Sequence, residues 1–297
     1  MKATRIESEL RMGRFRIDRM ASVYAGRPIA RMFRSGTGNG IPILMYHGVQ
    51  KPTSCRHPYF ETSISPDVFQ AQMRYLRDAH YKAVDLEEAL AVLEAGGTSE
   101  GLVVITFDDG YRNFYTDAYP ILEEFGLSAT VFVVSGFSRD QRFEREGNEY
   151  MTWAEVREVS ARGVRIGSHT VSHPRLYHLS LAKIDEEVGA SKAMLEERIG
   201  ERVAAFSYPF AFPETDGGFI RRLKDVLVAH AYQAGVSTVI GTARGSSERM
   251  ILPRLPVNSW DDPDFFRAKL EGGYDWLHPI QYARKALKRE VHDGRGM

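Results

Sequence analysis

Cysteine is almost absent from the 297-residue chain: Cys55 stands alone, which excludes an intramolecular disulfide framework and is compatible with a reducing compartment. No run approaches the roughly 18 apolar residues of a membrane span, and the basic N-terminus lacks the apolar core, about 7–15 residues long, of a secretory signal. The expected place is therefore the cytoplasm, with the inner membrane face as its alternative. An excess of charge is missing too, since 39 Lys and Arg balance 39 Asp and Glu, so nothing favours a nucleic-acid partner. No Gly/Ser/Pro-rich linker divides the chain, and 43% hydrophobic content suffices for one large core. Oligomeric state is not legible.

The charge is unevenly placed. Residues 1–34 hold nine Lys and Arg against three acids. There, Met12, Phe15, Ile17, Met20 and Val23 mix with Arg11, Arg14, Arg16 and Arg19, which reads either as an amphipathic contact with an anionic membrane or as a solvated extension. The expected organisation is a basic extension over 1–40, a catalytic domain over 41–275, and a C-terminal helix or tail over 276–297.

Along the body, strand and helix patterns alternate. Strands are predicted over 42–47, 81–84, 102–107, 128–134, 164–168, 203–207, 232–236 and 250–257. Helices are predicted after Ser65-Pro66, from about Leu86 to Leu93, and over 113–125, 152–161, 180–199 and 216–229. Repeated β-α units of this length make an α/β protein with a parallel sheet, open or closed. The segment from Gly136 to Tyr150 is charged and leaves the strand-end face, so it reads either as a border of the substrate groove or as a plain solvated loop, the latter preferred.

The chemistry sits where strands stop. The apolar run Leu102-Val103-Val104-Ile105-Thr106-Phe107 ends at Asp108-Asp109-Gly110, and Val164-Arg165-Ile166-Gly167 ends at Ser168-His169-Thr170-Val171-Ser172-His173. Burying adjacent carboxylates costs several kcal/mol per ion unless a cation or a close partner compensates, and a divalent metal would supply one. A turn at Gly110 can send Asp108 and Asp109 to different places in one pocket. His169 and His173, four apart, would share a side of one helical turn. Two His and one Asp leave positions open for water and substrate, as in a catalytic rather than a structural zinc site, and the remaining Asp is a candidate base. This ligand set suits Zn²⁺ but also Co²⁺, Ni²⁺ or Fe²⁺. Motifs at the C-terminal ends of successive strands favour a barrel with its site on that face.

Thr106-Phe107-Asp108-Asp109-Gly110 and Ser168-His169-Thr170-Val171-Ser172-His173 resemble the first two motifs of the polysaccharide deacetylases, the NodB-like carbohydrate esterases. Pro42-Ile43-Leu44-Met45-Tyr46-His47 looks like that domain's opening strand, and Ser207-Tyr208-Pro209-Phe210 like a variant of its third motif. The resemblance spans about residues 41–258 and is nearest the poly-N-acetylglucosamine deacetylase branch. It implies an irregular (β/α)7 barrel and removal of acetyl groups from an acetylated saccharide, either an exopolysaccharide or its precursor. It also implies that Asp109, His169 and His173 hold the metal, that Asp108 deprotonates its water, and that the backbone N–H near Phe210 stabilises the oxyanion.

Two positions depart from the family. Ser207 stands where the third motif usually has an Arg that pairs with the catalytic Asp, and Arg254 could deliver that guanidinium from a late strand. The family's late Leu-x-His has no match, since His278 lies too far along, so His47 is the preferred general acid. Tyr208 and Trp260 are candidate sugar-stacking aromatics, with packing as the ordinary alternative for both. Two rival readings remain: a deacylase or deformylase of a lipid-linked sugar, and a carbohydrate-binding pseudoenzyme in which the departures report lost catalysis.

Overall fold

The computed structural model describes residues 16–32, 40–51 and 61–293, with the last six described by backbone alone. Cys55 and the arm residues Arg11, Met12, Arg14 and Phe15 lie outside these residues. In chain order the elements are α1 (Ile17–Ala21), a π-turn (Ser22–Gly26), α2 (Arg27–Met32), β1 (Ile43–Tyr46), β2 (Gly48–Val49), β3 (Ser63–Ile64) and α3 (Pro66–Asp78). Next come β4 (Lys82–Ala83), α4 (Leu86–Glu94), β5 (Leu102–Phe107), α5 (Tyr119–Phe125), β6 (Thr130–Val133), β7 (Phe143–Arg145), β8 (Asn148–Tyr150) and α6 (Trp153–Ala161). The chain continues through β9 (Arg165–Ser168), α7 (Leu181–Ile199), β10 (Ala205–Ser207), α8 (Gly217–Ala229), β11 (Ala234–Ile240), β12 (Leu252–Pro256), α9 (Pro263–Leu270) and α10 (Leu277–Asp293).

The sheet runs β1-β12-β11-β10-β9-β6-β5, and β5 pairs back onto β1 through Ile43↔Val104 to Tyr46↔Phe107. Seven parallel strands therefore close into a barrel, with β4 added at Leu102 and Val103 of β5. This is the irregular (β/α)7 barrel. The helices start where sequence signals place them. Ser65 accepts from Val68 N–H with Pro66 at the first position of α3, and Thr152 and Glu155 form a reciprocal capping box on α6.

Alternation along each strand sorts the core. On β5, Val103, Ile105 and Phe107 face the helices, Phe107 against Phe69 and Phe114, in a cluster that extends around the barrel to Trp153, Leu223 and Phe265, while Val104 and Thr106 face inward. Inside the barrel the lower layer is apolar (Ile43, Val104, Phe132, Val236, Leu252). Above it come Thr106, Ser207 and Arg254, all fully buried. Such an interior is filled rather than hollow, so functional side chains collect at its upper rim.

Two expectations are corrected by tertiary context. The last core strand before β12 reaches Ile240 rather than ending near 236, because it pairs with β10 below and with β12 above. Segment 136–150 is not a solvated loop. It folds as the antiparallel hairpin β7–β8, turning at Glu146-Gly147 with both φ positive, and it seats Phe143 and Tyr150 against Phe137.

At Gly167 on β9 the Phe132 ring occupies the space a side chain would need, with an added Cβ only 2.4 Å from Phe132 Cδ1. Gly167→Ala is expected to destabilise the fold by about 1–3 kcal/mol through overpacking, read as a lower urea midpoint with unchanged slope; an unshifted midpoint would contradict this account of the interior.

Candidate metal centre

The site begins with a reversal of the chain after β5. Asp109 and Gly110 both adopt left-handed φ, +73° and +72°, a conformation Asp tolerates better than most residues and Gly freely. Continuing the strand would have alternated the two carboxylates across the barrel wall. Alternation already turns Asp108 into the barrel after Val104 and Thr106, and the reversal brings Asp109 to the cleft above it.

Asp108 meets Arg254, which rises from β12. The two make a bidentate pair, Nη1 to Oδ1 at 2.8 Å and Nη2 to Oδ2 at 2.7 Å, with Arg254 0% exposed. The guanidinium's remaining hydrogens reach the Ser237 carbonyl, Thr106 Oγ1 and Ser207 Oγ, and the Ser207 hydroxyl donates to Asp108 Oδ1 at 3.1 Å. Burial alone would raise the pKa of Asp108. Arg254, with smaller contributions from His169 and His47, instead holds it below the usual carboxylate range, so it stays ionised. The guanidinium that the third motif lacks is thus delivered from another strand, and Ser207 occupies the space left over. His47, at the end of β1, places Nε2 4.0 Å from Asp108 Oδ2.

Asp109 faces the imidazoles. His173 Nε2 lies 3.3 Å and His169 Nε2 3.5 Å from its Oδ1, and the ligand atoms of the three residues all lie within 4.8 Å of one another. His169 Nδ1 is 2.8 Å from the Ser207 carbonyl oxygen. A carbonyl only accepts, so Nδ1 carries the hydrogen and the Nε2 lone pair is left facing Asp109. Burial and the neighbouring His169 push His173 down to about 4, which keeps its ring neutral and able to ligate. Burial would also lower His169, but Asp109 and Asp108 raise it. The donor set, its open side and the fixed tautomer fit a divalent cation.

The pairing of His169 with His173 does not come from a helical turn, as their spacing suggested. Residues 169–173 form a bend in which Thr170 and His173 take φ of +69° and +55°. A β-branched residue there is strained, and such positions cost on the order of 1–3 kcal/mol. The bend is clamped from both sides. Glu187 on α7 accepts from Val171 N–H and Ser172 N–H, each at 2.9 Å, and from the Ser172 hydroxyl at 2.6 Å. The Thr170 and Val171 carbonyls accept from Ser135 and Gly136. No sequence spacing pointed to Glu187, because its partners are backbone amides.

Phe210 also has positive φ (+60°), lies tilted against the His173 ring with centroids 4.5 Å apart, and carries the Arg175 guanidinium 4.3 Å over its face. Thr238 holds this loop, its hydroxyl accepting from Phe212 N–H at 2.9 Å and donating to the Phe210 carbonyl. Opposite stands an aromatic wall the sequence did not indicate: Tyr111, Tyr150 and Phe137, with Arg145 and Glu146 at the hairpin tip, line the same cleft as His47, Asp108, Asp109, His169 and His173. Tyr111 bonds Asp109, and burial beside that carboxylate pushes its phenol, like that of Tyr150, upward. The proposed sugar platforms fare differently. Tyr208 borders the cleft but is buried edge-on against Phe212, and Trp260 sits exposed on the loop after β12, where its carbonyl accepts from Arg16, away from the cleft lining.

Arg254→Met strands a buried carboxylate and should cost about 3–5 kcal/mol near neutral pH, measured by urea unfolding, with Arg254→Met/Asp108→Leu regaining part of the loss. The pH dependence should change sign as well. In the parent, Asp108 contributes stability that is present above about pH 4 and lost as the pH falls through its depressed folded pKa. In Arg254→Met unopposed burial raises that pKa, so the contribution from Asp108 grows as the pH falls. Parallel pH-stability curves for the two proteins would refute the pairing.

A family model described as polysaccharide deacetylase matches residues 95–228. A Bacillus subtilis (strain 168) protein named as a polysaccharide deacetylase, YxkH, is 31% identical over 232 residues, covering 78% of this chain and 76% of its own length. The poly-β-1,6-N-acetyl-D-glucosamine N-deacetylase of Escherichia coli (strain K12) is 31% identical over 142 residues, which are 44% of this chain and 21% of that protein. The solved structure of the Streptococcus pyogenes deacetylase PplD in complex with acetate superposes with a TM-score of 0.68 at 25% identity, covering 79% of this chain and 99% of that one. Relatedness over most of both chains, on the same barrel, assigns the protein: it belongs to the polysaccharide deacetylase family and is a hydrolytic deacetylase.

Proposed function

We propose that the enzyme hydrolyses the acetamide of N-acetylated hexosamine units in a saccharide, using one divalent metal, with Zn²⁺ the ion best suited, held by Asp109, His169 and His173. The observation that carries this reading is the division of labour between neighbouring aspartates: one faces two imidazoles, and the other is locked onto a buried arginine. Further support comes from the relatives named as deacetylases of N-acetylglucosamine polymers, which extends to an exopolysaccharide or its precursor as substrate. The rival in which missing motif residues report lost catalysis is weakened, because Arg254 occupies the role left by Ser207.

A cation bound there would polarise the acetyl carbonyl and acidify a water. The remaining steps fall to the chain. Asp108, kept ionised by Arg254, takes the proton from the attacking water. The backbone N–H at Phe210, on a loop fixed by Thr238, donates to the carbonyl oxygen as it gains negative charge. His47 gives a proton to the departing nitrogen as the C–N bond breaks, leaving acetate and a free amine. The Tyr111, Tyr150 and Phe137 wall offers apolar ring faces against which a pyranose can lie.

The test is acetate release from β-linked N-acetylglucosamine oligomers. Activity should vanish on chelation and return with Zn²⁺. Asp108→Asn should retain metal yet lose activity, and His47→Ala should lower kcat about 10²–10⁴-fold, whereas Asp109→Asn and His173→Ala should lose metal itself. Acetate release indifferent to chelation, or a fully active Asp108→Asn, would overturn the assignment. Thr238→Val, which loosens the Phe210 loop without touching a metal ligand, should lower kcat roughly tenfold or more while metal content is unchanged.

A further inference from the structure

The N-terminal arm packs the wrong way round for an ordinary surface helix. Apart from Val23, which packs on the core, the arm turns polar or bare residues inward. Asp18 is buried against Arg16, Ser22 accepts from the Trp276 indole at 3.0 Å, and Gly26 lies so close that an added Cβ would be 2.3 Å from the Gly273 carbonyl oxygen. Arg19 pairs with Asp262, and Arg27 and Arg31 both grip Glu271. These contacts fix the arm's rotation, and with it the outward line, which is apolar: Ile17 (72% exposed), Met20, Tyr24 (66%), Ile29 and Met32 (82%). The steps between them are three, four, five and three residues. The step of five spans the π-turn, whose extra residue per turn brings Ile29 and Met32 back onto the line of Ile17 and Tyr24. Of the apolar and basic residues that suggested an amphipathic arm in the sequence, Val23 packs inward on the core and Arg16 is buried.

A second helix with exposed apolar side chains starts beside the arm. α10 begins directly after Trp276, the residue that holds the arm, and it exposes Ile280, Tyr282 and Leu287 alongside Arg284. Residues 1–34 and 276–297 together hold 14 of the 39 basic residues and only five of the 39 acidic ones, so the rest of the chain is net acidic. The two segments that expose these apolar side chains are thus the basic segments of the sequence, whereas a globular protein ordinarily buries such side chains. Cationic flanks around an outward apolar stripe are the makeup of a helix lying in a membrane interface. A second copy of the chain would bring like charge to like. No helix among the described residues is long and apolar enough to cross a bilayer, so the fit is to its surface.

We propose that the exposed apolar side chains of α1, the π-turn, α2 and α10 dock on an anionic lipid surface, independently of the catalytic reading above. Cosedimentation of the full chain with vesicles tests it. Binding is expected to vesicles of phosphatidylcholine with phosphatidylglycerol, to weaken as salt is raised, and to be negligible on phosphatidylcholine alone. Ile17→Ser/Tyr24→Ser/Met32→Ser should weaken binding about tenfold or more, with the thermal midpoint and acetate release from a soluble oligomer unchanged, since none of these residues is near the cleft. Equal binding by parent and variant, absence of binding to the anionic vesicles, or a concentration-dependent dimer in light scattering that the triple substitution abolishes would overturn the proposal.

Discussion

A buried guanidinium clasping a buried carboxylate organises the upper half of this barrel. Arg254 has no contact with solvent and Asp108 almost none, so each charge depends on the other and on Thr106, Ser207 and Ser237 around them. Isolated in the interior, either ion would cost several kcal/mol. Paired in a bidentate fork, they fix the level at which the apolar interior ends and the chemical site begins. They also lock Asp108 as an anion beside the cleft, which leaves Asp109 to face His169 and His173.

The cleft built on that pair carries concentrated backbone strain. Asp109, Thr170, His173 and Phe210 all hold left-handed φ, and each lies where the chain leaves a barrel strand. Side chains otherwise remote from the chemistry hold them there: Glu187 caps the bend between the histidines, Thr238 bridges the two ends of the Phe210 loop, and Gln281 on α10 bonds the backbone of Thr238 and Ile240. Preorganisation of this kind removes freedom the loops would otherwise have to lose when substrate binds. It also links α10 to the strand that carries Thr238, the residue that holds the Phe210 loop.

Local chemistry made much of this legible in advance. Strand and helix positions followed from period and caps, because residues such as Ser65-Pro66 and Thr152 act on their own backbone neighbours. The hairpin β7–β8 was not legible, since its ordering comes from Phe143 and Tyr150 finding Phe137 and Tyr111, while its charged residues resemble those of any solvated loop. The arm misled for a similar reason. A count of apolar residues cannot tell which side of a helix is held by Trp276 and Gly273.

The sequence by itself determined the βα alternation, the reversal at Asp108-Asp109-Gly110 and the types of ligand available, because these depend on residues adjacent in the chain. Tertiary structure decided which groups meet. Arg254 lies 146 positions from Asp108, Glu187 binds amides rather than a side-chain motif, and the His169–His173 bend is shaped by contacts from two other elements. Closing seven strands into one ring joins residues that no local spacing relates.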